Sequence, residues 1–253
     1  DDPLSATVDD LSSLSYGNDF ERPDLPPVHF STAASAIGNP GTAVRVEATC
    51  SPGESQADVF QSSLNGSNAQ DLDGNGIPCS TNGGFGLALT ESAPSDNVDA
   101  LEVDPCQVVD LDCNGLPDGP IYLTLAPASP TLTLIGGSPA DILLATPDGL
   151  PEIWANAASL GLRSGDVIDA LCMAENGSGA LDPGDRVYIS LAPGSPTLGL
   201  RGVAASDVLR APLLRLGMAA ATLGLATGDN LDALLCNTQS ALSDSYLPII
   251  SRQ

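Results

Sequence analysis

Apolar and polar residues alternate along this chain in short runs rather than in helical stripes. IYLTL from Ile121 and VYISL from Val187 carry β-branched or aromatic residues, and each run ends at a proline, Pro127 or Pro193. Such runs predict strands. DILL from Asp141, DVL from Asp207, PEIWANA from Pro151 and VIDALC from Val167 predict further strands. In the last of these, alternation places Val167, Asp169 and Leu171 on one face and Ile168, Ala170 and Cys172 on the other. MAAATL from Met218 suits short helical turns instead. With 26 Gly and 21 Pro among 253 residues, the chain has many tight turns and little room for long helices.

The same runs recur in order. IYLTLAPASPTLTL at Ile121 returns as VYISLAPGSPTLGL at Val187; SPADILL at Ser138 returns as ASDVL at Ala205. AASLGL, ending at Leu162, returns as AATLGL, ending at Leu225, and DVIDAL at Asp166 returns as DNLDAL at Asp229. A diverged unit precedes them, with VHFST at Val28, QADVF at Gln56, FGLAL at Phe85 and DNVDAL at Asp96. Self-similarity of this order and spacing marks an internal repeat. It divides the chain into an N-terminal segment, 1–27, three units at 28–120, 121–186 and 187–236, and a tail, 237–253. DDLSSL at Asp9 is a spare copy of the last element, so four copies of it accompany three of the others. If that copy pairs with the last unit it closes the chain on itself; if it pairs with another molecule it donates a strand. The tail holds one more strand candidate, SYLPIIS from Ser245.

Short strands in sequential order predict an all-β fold of three pseudo-repeats of antiparallel strands, propeller-like or prism-like. A two-sheet β-sandwich is the alternative.

Charge narrows the function classes. Thirty-two acids oppose eight bases for a net charge of −24, and all eight bases are Arg. No basic patch exists to exchange counterions with phosphate, so neither nucleic acid nor an anionic membrane suits this chain as a partner. No apolar run is long enough to span a bilayer as a helix. The acid excess suits divalent cations or a saline medium that screens self-repulsion. Apolar residues, at 42%, suffice for a core built mainly from aliphatic side chains, since aromatics are only 4%.

The first unit exceeds the others in length, largely through two acidic insertions. QDLDGNGIPC from Gln70 and VDLDCNGLPDG from Val109 each place oxygen-bearing side chains at alternate positions ahead of a glycine. Calcium takes six to eight oxygens, and a tight loop can aim alternate residues at one point. The expected donors are Asp71, Asp73, Asn75 and the Ile77 carbonyl in one loop. In the other they are Asp110, Asp112, Asn114, the Leu116 carbonyl and Asp118. The D-x-D-x-N-G-[IL]-P pattern resembles the calcium loops of thrombospondin type 3 repeats and, more distantly, those of dockerins and EF-hands. It departs from the EF-hand at position twelve, which is Asn82 or Ile121 where a bidentate Glu belongs, and in having Pro78 and Pro117. The remaining oxygens must come from elsewhere, with Asp104 and Asp58 as candidates. The plainer alternative makes Asn75-Gly76 and Asn114-Gly115 turn dipeptides with Asx-turn aspartates.

Six cysteines, no C-x-x-C and one histidine, His29, disfavour zinc and favour disulfides in an oxidising compartment. Cys50–Cys79 and Cys106–Cys113 would close the two insertions, and Cys172–Cys236 would staple the second unit to the third. With Asp1 as its first residue, the chain reads as a mature secreted protein. Its Lys-free, Ala/Gly/Asp-rich style resembles that of secreted bacterial repeat proteins.

No nucleophile elbow, zinc-protease motif or phosphate loop is present. The paired acids Asp96 with Asp99, Asp166 with Asp169 and Asp229 with Asp232 recur with the repeat, which suits turn capping better than catalysis. Trp154 and His29 read as packing residues. The sequence thus points to a secreted, calcium-stabilised, disulfide-stapled structural, adhesive or self-assembling protein at a bacterial surface, and not to an enzyme. The alternatives are a carbohydrate-active hydrolase using an Asp pair and a monomeric ligand-binding module.

Overall fold

The computed structural model describes residues 11–15, 28–50, 53–77, 79, 85–103, 120–146 and 149–234. They are mostly β, in three sheets whose strands follow one another in chain order. The first contains β1 (Leu11–Ser15), β2 (Val28–Thr32), β3 (Val59–Ser62), β4 (Ala69–Asp73) and β5 (Phe85–Gly86). The second contains β6 (Val98–Val103), β7 (Ile121–Leu125), β8 (Ile142–Thr146) and β9 (Gly149–Ala155). The third contains β10 (Ile168–Ala174), β11 (Arg186–Leu191), β12 (Val208–Ala211) and β13 (Arg215–Met218). Neighbours are antiparallel except β4 and β5, which run parallel. The described residues form no closed barrel or propeller.

Each sheet opens with a strand of the Asp-x-Leu-Asp-Ala-Leu type, and these three strands share an irregularity. Ile168 pairs with Leu191 and Ala170 with Ser190, so Asp169 is an extra residue. Val98 and Ala100 flank Asp99 in the same way, and Leu11 and Ser13 flank Ser12. A bulge of this kind shifts side-chain parity by one. The uninterrupted alternation expected of VIDALC therefore fails. Ile168 joins Leu171 and Met173 in the largest apolar core, while Ala170 and Cys172 line a different one with Val208 and Leu231.

Three six-residue helices, α1 (Ala43–Ala48), α2 (Pro130–Ile135) and α3 (Pro196–Arg201), leave the sheets at equivalent points. Their signal is local: Ser129-Pro130 and Ser195-Pro196 put proline at the first helical turn, and Gly136 and Gly202 end the helices at φ 69° and 66°. The strand reading stopped at the prolines and missed them. The caps themselves are tertiary. The amide and hydroxyl of Thr131 donate to the buried Asp96 at 3.0 and 2.6 Å, and those of Thr197 donate to Asp166 at 2.8 and 2.5 Å. The Arg163 amide adds a third bond to Asp166 at 2.6 Å. Asp141 and Asp207 bridge two backbone amides each, Ser138 with Ala157 and Ala204 with Ala220. Charge-assisted bonds to buried carboxylates contribute ~1.5–3 kcal/mol each. Asp166→Ala is thus expected to lower thermal stability by about 3 kcal/mol, with a similar loss for Asp96→Ala, as differential scanning calorimetry would measure.

A second repeated bond joins the sheets. The Ser31 hydroxyl donates to the Val98 carbonyl at 3.0 Å, Thr124 to Ile168 at 3.4 Å and Ser190 to Leu231 at 2.5 Å. Each sheet's second strand thereby docks on the next Asp-x-Leu-Asp-Ala-Leu element. For the third sheet that element is the fourth copy, whose Leu231, Ala233 and Leu234 are buried. Ala233 packs on Val28 of the first sheet. Asp232 acts on Asp99, whose carboxyl is pushed up to about 7 by burial first and by this like charge second. The spare front copy does not pair with the last unit: Leu11–Ser15 pairs with β2, and it is the rear copy that meets the first sheet.

Candidate functional site

Five buried acids meet in the first unit: Glu47 on α1, Glu54 after it, Asp58 before β3, Asp73 at the end of β4, and Glu91 ahead of β6. Oxygens of Asp58, Asp73 and Glu91 lie within 4.8 Å of one another. Oxygens of Glu47 and Glu54 lie within the same distance of each other and of the sulfurs of Cys50 and Cys79. Those sulfurs are joined, with the Cα atoms 5.9 Å apart, so they are not thiolate ligands. This expected disulfide ties the end of α1 to the acidic loop.

Backbone amides hold part of the cluster. Asp58 Oδ1 accepts from the Gly74 amide at 2.9 Å, and Asp73 Oδ1 from the Asn75 and Ile77 amides at 3.1 and 3.0 Å. Glu91 Oε1 accepts from the Asn75 amide at 2.9 Å, and the Asn75 side-chain amide donates to Oε2. Gly74 is required at its position: a Cβ there would lie 2.5 Å from Glu91 Oε1 and 2.8 Å from Ala57 Cβ. Gly76, at φ 75°, makes the turn expected of it. Among the described residues, both carboxylate oxygens of Glu47 and Oδ2 of Asp58 have no donor at ordinary hydrogen-bond geometry, though the Cys79 amide acts on Glu47.

The repeat explains why Asp58 stands out. It occupies the place of Asp141 and Asp207, each of which has both oxygens bound by backbone amides. In the first unit one oxygen keeps that role and the other is turned toward Asp73 and Glu91.

Electrostatics follow from this crowding. Burial, then repulsion from Asp58 and Asp73, pushes Glu91 up to about 9. Asp58 rises to about 8, through burial and then Asp73 and Glu47, against the Gly74 amide. Glu47 rises to about 7 through burial, Asp73 and Glu54, against the Cys79 amide, and Glu54 is raised by burial and by Asp73, against its hydrogen bond to Glu91. Among the described residues, every charge acting on these four groups is another carboxylate. A buried like-charge cluster of this kind could hold a metal ion, and all-oxygen donors suit a hard cation.

The expected donors fall in different places. Asp73 belongs to the cluster, and Asn75 supports it, but Asp71 does not belong. Phe60 pairs with Gln70 and Val59 with Leu72, so Asp71 is the extra residue of a bulge in β4. It turns away to His29 Nδ1 at 2.8 Å and Gln61 Nε2 at 2.9 Å. The Ile77 side chain is exposed, and its amide serves Asp73 and Asn75 as in Asx turns. Asp58 was a candidate from sequence; Glu47, Glu54 and Glu91 were missed. Their one signal is rarity, since they are three of only seven Glu among 32 acids. The second acidic loop, with Asp110, Asp112, Asn114, Leu116, Asp118, Cys106 and Cys113, lies outside the described residues, as do Asp104 and Cys236. Cys172 is disulfide-bonded.

Opening the Cys50–Cys79 bridge frees a loop spanning a sequence separation of 29 residues. Chain entropy alone then costs about 3–4 kcal/mol. Cys50→Ser with Cys79→Ser is expected to show that loss in thermal unfolding and to weaken calcium binding, as isothermal titration would report. No protein-family model, curated protein or solved structure matches the chain.

Proposed function

We propose that this chain is an extracellular, calcium-stabilised, disulfide-stapled β-repeat protein of a bacterial surface, matrix or fibre, acting by binding or assembly and not by catalysis. The observation that carries the reading is the buried cluster of Glu47, Glu54, Asp58, Asp73 and Glu91, on which no positive charge acts among the described residues. Calcium in the extracellular range would hold α1, the acidic loop and the approach to β6 together. The disulfide between the same two segments is compatible with an oxidising compartment. The three sheets, joined by one repeated hydroxyl-to-carbonyl bond, support a prism-like arrangement. Asp96 and Asp166 are fully engaged as caps, which counts against a hydrolase built on the repeated Asp pairs. Since β1 is paired within its own sheet, self-association rests instead on the strand candidate from Ser245.

Native mass spectrometry of the oxidised protein, with and without a chelator, tests this. Bound calcium that the chelator strips, together with a series of multimers, supports the reading; a calcium-indifferent monomer overturns it.

A ligand-binding module is a second reading, and one observation favours it. A cleft of about 560 Å³ is lined by Arg210, Arg215, Leu213 and Pro212, with Asp182 and Asp185 on the same lining. Arg210 and Arg215 pair directly across β12 and β13, where the second unit pairs Leu144 with Glu152. Opposed like charges destabilise a strand pair, and an anionic ligand between them would offset that cost. Binding of a sulfated oligosaccharide that is lost in Arg210→Ala with Arg215→Ala would support this reading, and absence of binding would dismiss it.

A further inference from the structure

We infer that the acidic cluster is a double site, in which two divalent cations sit side by side. This rests on the calcium reading above and extends it to a second ion whose ligands, Glu47 and Glu54, belong to neither acidic loop motif.

Two adjoining groups of oxygens form the cluster. In the first, the ligand atoms of Asp58, Asp73 and Glu91 lie within 4.8 Å of one another. In the second, oxygens of Glu47 and Glu54 meet within that distance beside the Cys50–Cys79 bridge. Each group has its own oxygen in want of a positive partner. Asp58, 0% exposed, leaves Oδ2 without a donor, and Glu47, 1% exposed, leaves both oxygens without one. A single cation beside Asp58 would satisfy the first group and leave the second as it stands. The two groups adjoin, since the Glu54 carboxyl hydrogen-bonds that of Glu91, and the charge of Asp73 acts on both.

Charge balance points the same way. Five ionised carboxylates around one divalent cation leave three uncompensated negative charges in a buried space, whereas two cations leave one. An uncompensated buried charge costs several kcal/mol, so the first ion binding alone would leave the second group strongly attractive to another. Gln70 adds a neutral donor at the junction: its Nε2 donates to Asp73 Oδ2 at 3.2 Å, and its buried Oε1 has no partner. Carboxylates on each side and a neutral oxygen suit a pair of hard cations with water completing each shell.

The experiment counts calcium on the full-length, oxidised chain carrying Asp110→Asn, Asp112→Asn and Asp118→Asn, so that the second loop contributes nothing. Native mass spectrometry is expected to find two calcium ions per chain, falling to one in Glu47→Gln with Glu54→Gln. One ion per chain, unchanged by that pair of substitutions, overturns the double site while leaving the calcium reading intact. No bound calcium overturns both. Because the pair of substitutions could unfold the unit, terbium and europium loaded together on the parent chain provide a measurement without them. Neighbouring ions shorten the terbium luminescence lifetime through energy transfer to europium, and an unchanged lifetime overturns the proposal.

Discussion

Asp58→Asn is expected to move stability in opposite directions with and without calcium. In chelator the substitution removes a carboxyl that burial and its neighbours push up to about 8, while an amide oxygen can still accept from the Gly74 amide. Relieving that group should raise stability by ~2 kcal/mol, discounted for its coupling to Asp73 and Glu91. In calcium the same change deletes a ligand. A ligand at 1,000 times its dissociation constant stabilises by about 4 kcal/mol, and most of this should disappear. For a chain of this size ~1 kcal/mol corresponds to roughly 2–4 °C. Scanning calorimetry should therefore record a rise of several degrees in chelator and a fall of about 8 °C or more in saturating calcium. A shift of the same sign in both conditions would mean that Asp58 is a structural cap like Asp141 and Asp207.

The second large effect is on pH dependence. Glu47, Asp58 and Glu91 reach about 7, 8 and 9 in the folded chain, against roughly 4 in an unfolded one. Between those limits the folded state holds protons that the unfolded state has released, so unfolding free energy falls as pH rises. The stability these groups contribute is complete below about pH 4 and is lost through pH 7 to 9. In chelator we expect a decline of at least about 3 kcal/mol from pH 5 to pH 9, allowing for coupling among the three groups and partial solvent access. Calcium competes with protons for the same oxygens and binds the ionised form, so the difference between calcium and chelator should widen with pH. Glu47→Gln with Glu91→Gln should flatten the chelator curve. A wild-type curve in chelator that rises from pH 5 to pH 9 would contradict the crowding of the cluster.

The candidate site was half legible. D-x-D-x-N-G drew attention to Asp73 and Asn75 because their spacing is local, and the disulfide was legible because Cys50 and Cys79 bracket the insertion. Glu47, Glu54 and Glu91 were not, for they come from a helix, a turn and a later loop that approach only when β3, β4 and the Cys50–Cys79 bridge are in place. Asp71 misled for the complementary reason. Its spacing from Asp73 implies a shared face, and one extra residue in β4 sends it to His29. The predicted strands at Ile121, Val187, Asp141 and Asp207 were found within a residue or so, since each is bounded by Pro, Gly or Asp turn residues.

By itself, the sequence determined that this is a turn-rich β protein, that its elements recur, and that one unit carries acidic insertions. Those properties depend on residue type and on neighbours a few positions away, where turn chemistry and β propensity act. Only the tertiary structure decided which strand joins which sheet, where bulges at Asp71, Asp99 and Asp169 reverse the facing of side chains, and which carboxylates share a buried space. Such outcomes depend on pairing between segments tens of residues apart. A one-residue change of register exchanges a strand's two faces at little cost in local propensity, and only the packing of the whole chain selects between them.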